Sequence, residues 1–240
     1  MPADLEPGFF LLAAAAVAAA VARTAWRLRV GDGLPLGYPL KALPVVLAMA
    51  LVWLYPGTDR AYALLVLAGL AVSLAGDMLI IHDRLFKAAL VSFLTAHVLY
   101  SVAFARQWAE MFGAFRGTFM APHAVAPVTG LVVGTVFLLA LSVYRRLEPG
   151  IETGLRRPVA VYVGAIMVMA GLATLRLSAW WEPASAVAAL GAWLFVASDT
   201  ALALDRFAGR FKGRPWRREL TVGPCYYAGQ ILIACSVALS

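Results

Sequence analysis

Eight stretches of mostly apolar residues occupy almost the whole 240-residue chain. A helix needs about 17 to 25 such residues to cross the hydrocarbon core of a bilayer, because each residue advances the helix by about 1.5 Å. The stretches lie at 9–27, 40–56, 61–82, 86–105, 124–144, 158–178, 184–204 and 222–240. With 62% hydrophobic residues, the sequence predicts an all-α, polytopic membrane protein with eight transmembrane helices, in which 1–240 forms a single integral membrane domain.

The basic residues are divided unevenly between the two ends of the predicted helices. Sixteen of the 20 Lys and Arg lie next to the loops that follow the first, third, fifth and seventh spans, and only Arg60, Arg106, Arg116 and Arg176 lie on the other side. Cytoplasmic loops carry the excess of Lys and Arg, so we expect both termini outside, in a bacterial inner membrane. The basic residues that give the chain its net charge of +7 then face the headgroups of the lipid bilayer, and no nucleic-acid partner is expected.

An internal repeat relates the two halves of the chain. Displaced by 122 residues, LAGDMLIIHDRLF (74–86) falls on VASDTALALDRFA (196–208), so that Asp77 matches Asp199 and Gly69 matches Gly191. Four spans separate the two copies, so the copies run in the same direction. The sequence therefore predicts two parallel four-helix repeats, with halves at about 1–120 and 121–240. In this arrangement Asp77 and Asp199 lie at similar depth in the cytoplasmic half.

Asp77 and Asp199 are the residues that most need an explanation. A charged side chain inside a spanning helix costs about 2.5–3.5 kcal/mol on insertion scales, so such residues are candidates for function. Other polar side chains of the spans lie near the same end, and we expect them to line a pocket with the two acids: Lys41, Ser73, His97, Tyr100, Tyr162, Ser198, Tyr226, Tyr227 and Gln230. The outer halves of the spans hold few ionisable groups, which argues against a polar route through the bilayer.

Several of these residues also have a purely structural interpretation. Ser73 and Ser198 are typical of hydroxyls that bond a helix carbonyl one turn back. Tyr100 and Tyr162 fit an interfacial anchor as well as a pocket wall, and Lys41 fits a side chain that extends to the headgroups. The aromatic segment 108–123 is expected to form a loop in the outer interface.

Two kinds of hydrolase site are excluded by the residues at hand. A zinc centre would need His82, His97 and His123 together, but these histidines fall on different sides or ends of the predicted spans, so no metal site is expected. A Gly-x-Ser-x-Gly motif is absent from the sequence, which argues against a serine lipase. No cofactor is predicted. Acid–base chemistry by paired carboxyl groups remains.

Short motifs along the chain resemble the YhhN-like family of eight-span membrane proteins, which includes lysoplasmalogenases. They are Lys41 with Pro44, SLAGD (73–77), FLTAHVLY (93–100), GAWLFVASDTALA (191–203) and YYAGQILI (226–233), in order and in the corresponding spans. The resemblance implies a lysophospholipid substrate, a lysoplasmalogen, whose vinyl ether bond is hydrolysed to a fatty aldehyde and a glycerophosphoethanolamine or glycerophosphocholine. Such hydrolysis needs one protonated carboxyl group and one carboxylate, much as glycosidases use two acids.

On that basis we expect Asp77 and Asp199 to be the catalytic pair. His97 and Gln230 would orient the acids or the attacking water, and the headgroup or glycerol end would meet Lys41, Tyr162, Tyr226 and Tyr227. The main alternative is a transporter or binding protein for a small amphiphile or lysolipid, since parallel helical repeats with a polar cluster also occur in transport proteins. A third interpretation is a structural lipid-binding protein in which the acids only pair with Lys41.

Overall fold

The computed structural model describes residues 6–30, 36–115, 122–179 and 182–240. Within these residues the chain forms eight helices that are long and apolar enough to cross a membrane, as predicted. They are α1 (Pro7–Arg29), α2 (Gly37–Leu54), α3 (Arg60–Leu79), α4 (Phe86–Phe115), α5 (Pro122–Leu147), α6 (Arg156–Ala179), α7 (Pro183–Ala208) and α8 (Pro215–Ala238). We call the end where α1, α3, α5 and α7 finish and the even-numbered helices begin the basic end, because most Lys and Arg lie there.

The helix ends follow local sequence signals. Prolines occupy the first turns of α1, α7 and α8, where a missing N–H leaves no hydrogen bond unmade. Asp59 caps α3 by accepting hydrogen bonds from the backbone N–H groups of Ala61 and Tyr62. At the end of α7, Gly209 adopts a left-handed conformation with φ of 61°, which suits glycine.

Several predicted boundaries differ from the structure, for example the start of α8, which lies at Pro215 and not at 222. The segment 108–123 was expected to be a loop, but α4 continues through it to Phe115, and 116–121 lies outside the described residues. Aromatic residues with no proline or glycine pair to stop the helix allow this extension. In addition, Asp77 lies two residues before the end of α3 and Asp199 lies nine before the end of α7, so distance from the helix end does not measure their relative depth.

Helix packing pairs corresponding helices of the two halves. α3 packs on α4 as α7 packs on α8, α1 packs on α2 as α5 packs on α6, and α2 packs on α8 as α4 packs on α6. The matched glycines lie at such contacts: a Cβ at Gly69 would overlap the ring of Tyr100, and one at Gly191 would approach the carbonyl of Gly229. Each of these helix contacts in one half therefore has a counterpart that involves the other half.

A buried ionic cluster at the end opposite the basic end was not anticipated from the sequence. Arg176 is fully buried, donates to the Tyr62 hydroxyl at 2.8 Å and lies with its guanidinium carbon 4.8 Å from the centre of the Tyr62 ring. Tyr62 also meets the Ser236 hydroxyl at 2.7 Å, so the cluster joins α3, α6 and α8. The Arg176 guanidinium also lies 3.6 Å from the Glu182 carboxylate. These contacts explain how an arginine can be buried there, because its charge is placed against a carboxylate, an aromatic face and a hydroxyl.

Asp59 lies at this same end, outside the span that it caps. Burial by itself would raise the pKa of Asp59, but hydrogen bonds from the backbone of Tyr62 and Ala61 and from the Gln107 amide hold it below its ordinary value. Ionised Asp59 therefore stabilises the start of α3 at neutral pH, and that contribution is lost as the pH falls through the lowered pKa.

Candidate active site

A cavity of about 380 Å³ lies at the basic end, and all eight helices contribute to its wall. Its size is within the range of pockets that bind small ligands, roughly 300–1,000 Å³. Asp77 and Asp199 both line it. The fold therefore brings the two matched acids of the repeat to one cavity.

Asp77 is held by a cation and a phenol. The Lys41 ammonium lies 3.5 Å from Oδ1 of Asp77, and the Tyr226 hydroxyl donates to Oδ2 at 2.6 Å. Lys41 also donates to the backbone carbonyl of Asp77 at 2.7 Å. That carbonyl belongs to the last turn of α3, where helix carbonyls lack a partner within the helix and attract positive charge. The end of α3 therefore helps to fix Lys41 beside the acid.

A chain of buried side chains extends from Asp77 into the bundle. The Tyr100 hydroxyl donates to Oε1 of Gln230 at 2.7 Å, and Nε2 of Gln230 donates to the Tyr226 oxygen at 3.2 Å. Since Tyr226 accepts from Gln230, its own proton is directed to Asp77. We call Lys41, Asp77, Tyr226, Gln230 and Tyr100 the Asp77 cluster.

Asp199 is held by different groups. Its Oδ2 accepts a short hydrogen bond from the Tyr162 hydroxyl, and Nε2 of His97 lies 3.2 Å from the same oxygen and 3.0 Å from the Tyr162 oxygen. His97 is fully buried, with its ring 4.8 Å from that of Phe195 between ring centres. The Asp199 side chain is 13% exposed, against 5% for Asp77. We call His97, Tyr162 and Asp199 the Asp199 cluster.

The two ring nitrogens of His97 have different surroundings. Nδ1 of this histidine is buried without a hydrogen-bond partner. A buried N–H donor without a partner is costly, whereas Nε2 has two oxygens within reach. Of the two neutral tautomers, these contacts favour the one with its proton on Nε2.

The two clusters are built crosswise between the halves. Asp77 receives one partner from α2 in its own half and one from α8 in the other half. Asp199 receives one from α6 in its own half and one from α4 in the other. Each acid is therefore positioned only when the two halves are packed together.

Some predicted site residues line the cavity and others lie behind its wall. Those in the wall are Lys41, Asp77, Tyr162, Ser198, Asp199, Tyr226 and Tyr227. His97 and Gln230 are buried behind it and contact wall residues. Ser73 and Tyr100 are also fully buried and do not belong to the described wall, so they are placed to support the site and not to touch a ligand.

The hydroxyls of two wall residues bond backbone carbonyls. Ser198 donates to the carbonyl of Val222 at 2.9 Å, and Tyr227 donates to that of Lys41 at 3.3 Å. Both bonds connect helices at the basic end, and neither touches an acid. The structural interpretation of Ser198 therefore accounts for its hydroxyl, although the bond goes to α8 and not one turn back.

Sequence reasoning missed the contribution of α1. Arg23 and Arg27, one turn apart on this helix, both line the cavity, and Arg23 is only 6% exposed. From the sequence these arginines were counted as charges at the membrane surface. The position of Arg23 in the sequence could have indicated its burial, since Arg23 lies inside the first apolar stretch and not after it.

No group of three or more His, Cys, Asp or Glu that could hold a metal ion occurs among the described residues. The side chain of His123, one of the three histidines considered above, lies outside the described part of the chain.

Comparison with known proteins identifies relatives along most of the chain. The sequence model of the YhhN family matches residues 36–237. The protein named "Uncharacterized membrane protein YhhN" of Escherichia coli O157:H7 is 32% identical over 83% of this chain and 86% of its own. Lysoplasmalogenase TMEM86A of Bos taurus is 32% identical over 73% of this chain and 65% of its own, and lysoplasmalogenase TMEM86B of Homo sapiens is 30% identical over 84% and 75%.

No solved structure matches the chain. The matched range of the family covers α2 to α8, and therefore both acids and their partners. Eight apolar helices, two carboxyl groups at one cavity and relatives of similar length lead to one conclusion: the chain is an integral membrane protein that belongs to the YhhN family.

Proposed function

We propose that the protein is a lysoplasmalogenase-like ether hydrolase, which cleaves the vinyl ether bond of lysoplasmalogens to a fatty aldehyde and a glycerophospho-base. One observation carries the proposal: two carboxyl groups, Asp77 buried and Asp199 13% exposed, face one cavity with different partners. Asp77 has the Lys41 ammonium, and Asp199 has a phenol and an imidazole. Enzymes that need an acid and a base together use carboxyl groups whose environments separate their protonation states. The names of the related TMEM86 proteins supply the substrate class.

Asp199 is assigned the role of proton donor. In surroundings of low dielectric constant, a carboxyl group without a cationic partner favours its neutral form. The partners of Asp199 are Tyr162 and the neutral tautomer of His97, and both meet Oδ2. With the proton on Oδ1, Oδ2 remains an acceptor for both hydrogen bonds. Oδ1 is then the oxygen that serves the substrate.

Asp77 is assigned the role of carboxylate. Burial opposes a charge on Asp77, whereas the Lys41 ammonium and the Tyr226 hydroxyl favour its ionised form, since one supplies positive charge and the other donates a hydrogen bond. A carboxylate beside the reacting carbon stabilises positive charge and accepts a proton from water. Gln230 and Tyr100 maintain the direction of the Tyr226 hydrogen bond and so act as positioning residues.

The reaction then proceeds with all atoms accounted for. Asp199 transfers its proton to the β-carbon of the vinyl ether, and the ether oxygen shares its lone pair to form an oxocarbenium ion. Water adds to the α-carbon while Asp77 takes a proton from it, which gives a hemiacetal. The bond from that carbon to the glycerol oxygen breaks, this oxygen takes the proton from Asp77, and the hemiacetal hydroxyl returns a proton to Asp199. One water is consumed, and both carboxyl groups regain their starting state.

The wall of the cavity suggests how the substrate lies. Apolar side chains of α4 and α6, among them Phe93, Ile166 and Met167, offer contact for the alkenyl chain. Charged side chains of the basic end surround the other part of the cavity, where the glycerophosphate would lie. We propose that this end faces the cytoplasm, with both termini outside, because positive loops remain on that side of a bacterial inner membrane.

The test measures aldehyde release by the purified protein in detergent, with no ion gradient. We expect release from a lysoplasmalogen and none from the saturated ether lysolipid of the same chain length. In D₂O the aldehyde should gain one deuterium on the carbon next to the carbonyl, because that carbon receives the proton from Asp199. Glu152→Gln is a matched control, because it removes an exposed carboxylate at the basic end that does not line the cavity.

Two results would refute the proposal. One is the absence of aldehyde from a wild-type protein that elutes as a single folded species. The other is aldehyde without deuterium on that carbon. Uptake of intact lysolipid into vesicles without hydrolysis would favour the transporter alternative.

A further inference from the structure

Helix α1 forms part of the cavity wall although it precedes the range that the family model matches. That range starts at residue 36, whereas α1 ends at Arg29. Arg23, Thr24 and Arg27 of α1 all line the cavity. None of the roles assigned above to α2–α8 accounts for these residues.

The contact between α1 and α8 is close. A Cβ at Gly223 of α8 would lie 3.6 Å from the Thr24 hydroxyl oxygen, and that hydroxyl donates to the carbonyl of Ala20 at 2.9 Å. Because the Thr24 hydroxyl donates within α1, Thr24 meets α8 through van der Waals contact and not as a hydrogen-bond donor. The next turn of α8 carries Tyr226 and Tyr227, so α1 is fixed beside the Asp77 cluster.

An ionic chain fixes the outer part of this wall. Arg27 meets Glu219 at 3.1 Å, Glu219 meets Arg218 at 2.6 Å, and Arg218 meets Asp205 at 2.9 Å. These side chains are between 18% and 28% exposed, whereas Arg23, one helical turn deeper on α1, is 6% exposed. Arg23 is therefore the arginine of this wall that lies deepest.

The charges of the cavity wall leave room for one anion. Among the described residues of the wall there are five Lys and Arg (Arg23, Arg27, Lys41, Arg206 and Arg218) and five Asp and Glu (Asp77, Asp83, Asp199, Asp205 and Glu219). If Asp199 carries a proton, as the proposed function requires, the wall has a net charge of +1. The phosphodiester part of the headgroup has a single negative charge and would balance this excess locally, with the positively charged ethanolamine or choline group placed away from the arginines.

We propose that Arg23 binds the phosphate of the lysolipid headgroup, and that α1 thereby supplies a phosphate subsite to the active site. The planar guanidinium of arginine donates two parallel hydrogen bonds to phosphate oxygens, which fixes the orientation of the bound group. The net charge of +1 rests on the proposed function, because it requires a protonated Asp199. The choice of Arg23 rests on the burial and position of that residue. It makes the substrate class a phosphate-bearing lysolipid and excludes the corresponding alkylglycerol as a good ligand.

The experiment measures equilibrium binding, so it does not depend on turnover. Three probes are used with the purified full chain: a saturated ether lysophosphatidylethanolamine, the matching alkylglycerol and inorganic phosphate. Arg23→Gln should weaken binding of the lysolipid about 10- to 100-fold, as expected for the loss of a charge-assisted hydrogen-bonded pair. Binding of the alkylglycerol should not change. Arg29→Gln, an exposed arginine at the end of the same helix, should leave both affinities unchanged.

Any other result of the binding measurements overturns the proposal. Equal lysolipid affinity in Arg23→Gln and wild type would show that Arg23 does not hold the phosphate. An effect of the variant on inorganic phosphate alone would assign the site to the free ion. If Arg23→Gln fails to fold, Arg23→Lys retains the charge but not the paired hydrogen bonds, and unchanged lysolipid binding in that variant would be contrary evidence. Because the ether probe is not hydrolysed, Arg23-dependent binding without aldehyde release would refute the proposed function and leave this inference intact.

Discussion

The Asp77 and Asp199 clusters contain the same acid at matched positions of the repeat, yet their partners differ in charge. Asp77 meets an ammonium and a phenol, whereas Asp199 meets a phenol and an imidazole. With the same displacement of 122 residues, the position of Lys41 in α2 corresponds to Val163 in α6, which is next to Tyr162. Nearly equivalent positions therefore supply a cation to Asp77 and a neutral hydrogen-bond donor to Asp199. The comparison teaches that matched positions of a sequence repeat can place the same acid among different partners. In the proposed function, these partners give each acid a separate protonation state.

The largest expected effect concerns the two acids themselves. Asp199→Asn should reduce kcat for aldehyde release by about 10²- to 10⁴-fold, because no other group of the cluster is placed to protonate the β-carbon. Asp77→Asn should also lower kcat, but Lys41 then remains as a buried cation without its carboxylate, so this variant should unfold at a lower temperature as well. Aldehyde release and thermal unfolding in detergent, measured on both variants, test the difference. A near-normal kcat in folded Asp199→Asn would show that Asp199 is not the proton donor.

The second prediction concerns the Lys41–Asp77 ion pair. Lys41→Met leaves a buried carboxylate without its cation, which should destabilise the protein by about 3–5 kcal/mol. The double variant Lys41→Met with Asp77→Asn should recover much of this stability, because no charge is then left unpaired, but it should stay inactive. A double-mutant cycle of unfolding free energies measures the coupling. Additive losses in the cycle would mean that the pair contributes nothing beyond its separate residues.

The smallest expected effects concern the two phenols. Tyr226→Phe removes the donor to Asp77 and also leaves the Gln230 amide without its acceptor, so a loss of about 1–3 kcal/mol in stability is expected. Tyr162→Phe removes a donor to Asp199, but His97 still contacts the same oxygen, so its stability should change less. Unfolding free energies of the two variants, compared side by side, test this order. Equal losses would show that the hydrogen-bond chain behind Tyr226 adds nothing.

The fold was predictable because membranes limit the choice of structure. A spanning segment must satisfy its own backbone hydrogen bonds, so apolar stretches of sufficient length become helices, and all eight were located. The end of α4 was placed wrongly, because a helix that leaves the membrane can continue without an apolar sequence. The cluster around Arg176 was also missed, since the residues that meet its guanidinium, Tyr62 and Glu182, lie outside α6 and come together with it only in the packed bundle.

The sequence predicted the two acids of the candidate site, but it did not predict which side chains contact each acid. Asp77 and Asp199 stand out as charged residues inside apolar segments, and the repeat indicates that they belong together. Their partners could be placed near one end of the bundle but not assigned, because several lysine, histidine and tyrosine side chains reach that end. The role of Arg23 required knowledge of which helix closes the cavity.

The sequence by itself determined the eight helices, the concentration of positive charge at one end and the presence of two matched acids, because each of these depends on local composition and on a period along the chain. The tertiary structure alone decided that Lys41 and Tyr226 meet Asp77, that Tyr162 and His97 meet Asp199, and that α1 completes the wall. The physical reason is that these contacts join residues of different helices. Helices in a bilayer pack through close contact of side chains and small residues, and the lateral order and rotation of each helix follow from all of these contacts together.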